Sequence, residues 1–213
     1  MPEGKRPVIR RAIFSGGSPL QAHGGYLIRL DTFRGLELVR LAREALAQDG
    51  VSGPLPGLHV SVIRRRKVIR LAFVGPTPAA RLPADWYAEH HGLPRLLSRA
   101  ANATVHAYVY DPAQGEQVIA YGNGHRVGGD EVVYADVELS GEEELDDAAF
   151  TRLRARWPIG HLAYVFGLTR EDLLGMPRAV PNMVLPLDEM DVEDRLDVLL
   201  PSPQLPRVTP DAA

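Results

Sequence analysis

The chain reads as an α+β protein: antiparallel strands built from hairpins and a three-stranded meander, helices packed on one face, a C-terminal helical pair and an extended acidic tail. Three observations predict this class. Apolar residues alternate with period two in several short segments, clusters of Gly, Asn, Asp and Pro of reversal type separate those segments, and stretches with apolar residues three and four apart lie between the hairpins.

Val8 to Phe14 and Tyr26 to Leu30 read as strands joined through Gly16, Gly17, Gly24 and Gly25, a loose opening hairpin. Leu36, Leu38, Val39, Leu41 and Leu46 then recur at helical spacing, with Asp31 or Thr32 as cap and Gly50 as stop. Leu58, Val60 and Val62 alternate and Val68 to Val74 is an apolar run, so a second hairpin turns through Arg64, Arg65, Arg66 and Lys67. Pro76, Pro78 and Pro83 lead into a helical stretch from Ala84 to Ala101, read as one helix or as two broken near Gly92 and Pro94. The meander follows as Val105 to Tyr110, Gln117 to Tyr121 and Val132 to Leu139, turned at Asp111-Pro112, Asn123-Gly124 and Gly128-Gly129.

Ser140 and the acidic residues after it head a helix through Phe150, Leu153 and Trp157 that Pro158 ends. Leu162 to Phe166 form a short apolar helix, Gly167 a left-handed stop, and Thr169 with Asp172 a capping box for a second helix. Seven of the 18 prolines fall after residue 176, which marks residues 179–213 as a tail on one domain of residues 1–178, with a candidate sub-boundary at 76–83.

Length and composition bound the function classes. A chain of 213 residues with 45% hydrophobic side chains buries a core without staples, and zero cysteines exclude disulfides, thiolate metal sites and cysteine nucleophiles. No apolar run approaches the roughly 20 residues of a membrane helix and no signal-peptide core follows the basic start, so a cytoplasmic location without membrane contact is expected. Only Lys5 and Lys67 stand against 22 arginines, a bias that fits a GC-rich bacterial coding genome. Residues 1–100 carry 16 Lys+Arg against 7 Asp+Glu, and the remainder carries 8 against 20. Such segregated charge favours contact between macromolecules.

The candidate sites follow from that charge pattern. The turn Arg64, Arg65, Arg66, Lys67 offers four cations to an acidic partner or a phosphate backbone; the bland alternative is a solvated turn. Leu185 to Leu200 mixes carboxylates with apolar side chains, and Asp188, Met190, Asp191 and Leu196 are its candidate contact residues, against a tail strapped across its own domain. Asp85 and Glu89, four apart, with His90 and His91 adjacent, are the only spacing that suggests acid–base or metal chemistry, against a surface helix with Trp86 turned inward. Leu162 to Leu174 resembles half of a helix-turn-helix, but Glu171 and Asp172 would face phosphate with like charge.

Neither a phosphate loop nor a Gly-x-Ser-x-Gly elbow occurs. The sequence expectation is therefore a protein-binding module without catalysis or cofactor, of adaptor, regulator or immunity type, with homo-oligomers compatible. A nucleic-acid-associated regulator using residues 64–67 is the alternative, and a hydrolase or transferase near Asp85, Glu89, His90 and His91 the third reading.

Overall fold

Strands that carry apolar side chains on both faces have to be covered on both sides, and the architecture follows from that requirement. The computed structural model describes residues 22–29, 35–51, 55–75, 81–137, 147–175 and 182–187. Strands β1 (His23–Arg29), β2 (Gly57–Ile63), β3 (Val68–Val74), β4 (Val105–Asp111), β5 (Gly115–Gly122), β6 (His125–Val133) and β7 (Asn182–Pro186) form one sheet in the order β6-β5-β4-β1-β3-β2-β7. Every neighbouring pair is antiparallel.

The α+β class and the antiparallel sheet are as expected; the helices, however, cover both faces rather than one. On the first face, α1 (Gly35–Gln48), α2 (Ala84–Glu89) and α3 (Gly92–Ala100) close over Tyr26, Ile28, Val60, Leu71 and Phe73. On the second face, α4 (Asp147–Arg154), α5 (Pro158–Val165) and α6 (Arg170–Leu174) close over Leu27, Val68, Tyr108 and Val118. All seven residues of β3 are buried, and six of seven in β1, because alternate side chains serve different cores.

The second hairpin has the expected ends, with Ile63 opposite Val68. The neighbours of β1 in the sheet are β3 and β4; Val8 to Phe14, the other strand of the expected opening hairpin, lie outside the described residues. That same β1 joins the two halves of the sheet across the sub-boundary sought at 76–83. The stretch from Ala84 is two helices, parted at His90 and His91 rather than at Gly92 and Pro94; proline sits in the first turn of α3, where its missing N–H is tolerated.

The third meander strand is His125–Val133, not Val132 to Leu139. Asn123 and Gly124 both have positive φ, 49° and 79°, which makes a two-residue reversal tight enough for β6 to start at once. Gly128 and Gly129 consequently lie within the strand, past a bulge opposite Ala120/Tyr121. Pro158 likewise opens α5 at its first position, while Trp157 stands outside α4 and caps the next helix instead. The capping box of Thr169 and Asp172 is present, and Gly167 has φ 66°. Residues 182–186, placed in the tail by their prolines, add β7 to the sheet beside β2, and Leu187 is buried. The acidic stretch after it lies outside the described residues.

Candidate functional site

The basic turn is held outward by its own geometry. Arg64–Arg66 make one turn of 3-10 helix, and Lys67, at φ 52°, closes it with an N–H bond to the Arg64 carbonyl at 3.1 Å. All four side chains are exposed. What the sequence reading missed is the neighbour that folding brings to them.

In α5, Ile159, Leu162, Ala163 and the following Phe166 recur at helical spacing and turn toward the sheet, which leaves Tyr164 79% and Val165 54% exposed on the other side. The Arg66 guanidinium lies over Gly167, 3.0 Å from where a Cβ would stand, and the Arg29 guanidinium lies 5.2 Å from the Phe166 ring centroid. Cations from β1 and the β2–β3 turn thus meet the apolar end of α5 in one surface. The apolar spacing from Ile159 was the signal that could have set Tyr164 and Val165 apart. Of the tail residues proposed for the same contact, Asp188, Met190, Asp191 and Leu196 lie outside the described residues.

The acid–base candidates do not converge. Asp85, Glu89 and His91 are exposed, whereas His90 turns to Asp49, its Nδ1 2.8 Å from the Asp49 carboxylate and its ring 4.6 Å from Trp86. A Cβ at Gly92 would collide with the Asp49 carboxylate, so the pair ties the end of α1 to the start of α3, where a carboxylate is favoured by the helix dipole. This accounts for His90 structurally. Among the described residues no group of three His, Cys, Asp or Glu side chains is arranged to hold a metal ion.

Two buried polar networks cross the second face, one around Glu116 and Arg170 and one around Arg70; among the described residues the Arg170 Nε has no partner. Glu116 accepts from the Tyr134 hydroxyl at 2.9 Å, from the Ile159 N–H at 3.1 Å and from the Arg170 guanidinium. Burial opposes the charge on Arg170, but the Glu116 carboxylate outweighs it and holds the guanidinium pKa above its ordinary value. Arg70, in β3 beyond the basic turn, is 1% exposed and donates to the C-terminal carbonyls of α6. A single buried arginine in an apolar run reads equally as a turn extension until the sheet places it.

His59, 2% exposed on β2, shares that environment. Burial and the charges of Arg70 and Arg81 lower its pKa to about 4. The unfolded chain takes up this proton near pH 6.5 and the folded one does not, so the stabilisation is complete above 6.5 and is lost as pH falls toward 4. We expect up to about 3 kcal/mol of acid destabilisation from this group, with a shallower acid limb in His59→Asn when urea midpoints are measured from pH 7.5 to 4. Equal slopes in both proteins would remove His59 from the account.

A cleft of about 390 Å³ opens on the first face, between α2 and the Asp111 end of β4, β5 and β6. Ala107, Val109 and Ile119 make its half-buried floor, and His91 stands on its wall. It stays open because α3 packs against the opposite end of these strands, where the Arg95 Nε and the Ser98 hydroxyl bond the backbone of Gly124.

Comparison of the chain with protein-family models, with curated proteins and with solved structures gives no match.

Proposed function

We propose that the chain is a non-catalytic protein-binding module that docks an acidic, apolar-studded segment of a partner, as an adaptor, regulator or immunity-type protein would. The observation that carries this reading is the exposed Tyr164–Val165 pair at the end of α5, where the exposed Arg66 of the basic turn lies over Gly167. Exposed aromatic and branched side chains supply contact area, while the surrounding guanidinium groups select negative partners and speed encounter. A solvated turn alone would leave Tyr164 without a role.

The test is anisotropy titration of the full chain with a labelled synthetic peptide of residues 185–200, which has the required chemistry. Arg64→Gln/Arg65→Gln/Arg66→Gln/Lys67→Gln is expected to weaken binding about tenfold or more, from about 0.5 kcal/mol per exposed charge. Tyr164→Ala is expected to weaken it severalfold, and added salt to weaken it progressively. Unchanged affinity in both variants overturns the reading. Ending the chain after Leu187, which keeps β7, separates partner docking from self-docking: tighter peptide binding by the shortened chain means its own tail competes for the surface.

Tyr164 also favours a second reading. Single-stranded nucleic acid is bound by cations along the backbone with aromatic rings stacked on bases, and this patch has both. A thymidine oligonucleotide would then bind with a steep log–log salt slope, lost in the same fourfold variant.

A further inference from the structure

We propose that the cleft between α2 and the β4–β6 part of the sheet binds a small, mostly apolar molecule that carries a protonated amine. This site is on the opposite face of the sheet from α5 and stands independently of the protein-binding reading.

Size and lining come first. A volume of about 390 Å³ lies within the range of roughly 300–1,000 Å³ typical of small-molecule sites. The floor residues Ala107, Val109 and Ile119 are alternate positions on β4 and β5 that share one face by register, Ala107 lying opposite Ile119. Equivalent positions on β1 and β3 are sealed under helices, as Ile28, Leu71 and Phe73 show. Covering such a floor with an apolar body removes about 25 cal/mol per Å² from water.

The inner end supplies the polar contact. Tyr26 lines the cleft and is 1% exposed, yet among the described residues its hydroxyl has no hydrogen-bond partner. Its neighbour Tyr87 is different, since that hydroxyl accepts the Phe73 N–H at 2.8 Å. Buried polar groups are rarely left unpaired, because an unmet hydroxyl costs about 1–3 kcal/mol. A ligand hydroxyl or carbonyl reaching Tyr26 offsets that cost.

Charge at the rim sets the class. Asp111, Glu116 and Glu131 line the cleft, and among the described residues no lysine or arginine does; Glu116 is committed to Arg170. The Asp111 carboxylate is already engaged with the N–H groups of Ala113 and Gln114, and the exposed Glu131 carboxylate accepts only from Gln117 at 3.3 Å among the described residues. Glu131 is thus available to an ammonium group, and the Asp111 and Glu131 carboxylates repel an anion. The cleft accordingly distinguishes an amine from an acid of the same shape.

Tyramine tests this directly, because it holds a phenol at one end and an ammonium at the other; 4-hydroxyphenylacetate keeps the body and reverses the charge. Calorimetric titration of the full chain is expected to give saturable one-to-one binding of tyramine, with the acid about tenfold weaker or worse. Glu131→Gln should erase most of that preference. Tyr26→Phe should weaken tyramine severalfold, keep the preference for the amine, and leave the protein at least as stable, since the group removed is an unpaired buried hydroxyl. Absence of saturation with tyramine at millimolar concentration, equal binding of amine and acid, or a preference that survives Glu131→Gln would each overturn the proposal.

Discussion

Glu116→Ala is expected to destabilise the protein by about 3–5 kcal/mol, the range for removing one partner of a buried ion pair. Three donors lose their acceptor at once: the Arg170 guanidinium, the Tyr134 hydroxyl and the Ile159 N–H at the start of α5. Arg170 is 7% exposed, so its charge has no water to return to. Against a total stability of about 5–15 kcal/mol this is a large fraction. Urea unfolding measures the loss, and near-ultraviolet dichroism reports it locally, because Trp157 lies against Tyr134 with ring centroids 5.0 Å apart. Replacing both charges together, as Glu116→Leu/Arg170→Met, is expected to cost far less than the sum of the single changes, since no charge is then left buried alone. An additive result would mean that the pair is not coupled.

Arg70→Leu carries the second large effect, at least about 3 kcal/mol from charge-assisted bonds worth 1.5–3 kcal/mol each. Its Nε donates to the Tyr108 hydroxyl at 2.8 Å, Nη1 to the carbonyls of Asp172 and Gly175 at 2.9 and 2.7 Å, and Nη2 to that of Leu173 at 2.6 Å. Arg81 adds bonds to Leu174 and Gly175 at 2.8 and 2.6 Å. Two arginines thereby satisfy the terminal carbonyls of a five-residue helix, which is far too short to persist by propensity. Hydrogen exchange should accordingly show the α5–α6 amides losing protection before the sheet does. Arg70→Lys should recover little, because one ammonium cannot span three carbonyls and a hydroxyl. Full rescue by lysine would refute the bonding scheme in favour of charge alone.

These two networks also mark where sequence reasoning ran out. Glu116 and Arg170 lie 54 positions apart and Arg70 and Leu173 lie 103 apart, and neither pair has a local signature. Arg70 interrupts the apolar run of β3, and its burial depends on α6 arriving above it. The same distance problem hid the Asp49–His90 pair, which made His90 resemble part of a site with Asp85 and Glu89. Tyr164 was visible in the sequence but was counted with the apolar face of its helix, and only the tertiary placement of Arg66 over Gly167 brought the basic turn to the end of that helix. The cleft was wholly illegible, since it is defined by where α2 and the start of α3 lie over the strands.

By itself the sequence determined the local elements whose causes are local: the Arg64–Lys67 reversal, the Asn123-Gly124 turn, the Thr169–Asp172 capping box and the left-handed Gly167, each dictated by backbone sterics and hydrogen bonds within a few residues. Tertiary structure alone decided that helices cover both faces, that β1 is central, that β7 completes the edge, and which charges are buried. Those outcomes depend on long-range burial, where strands with two apolar faces require two covers, and a polar group enters the interior only when a distant partner meets it.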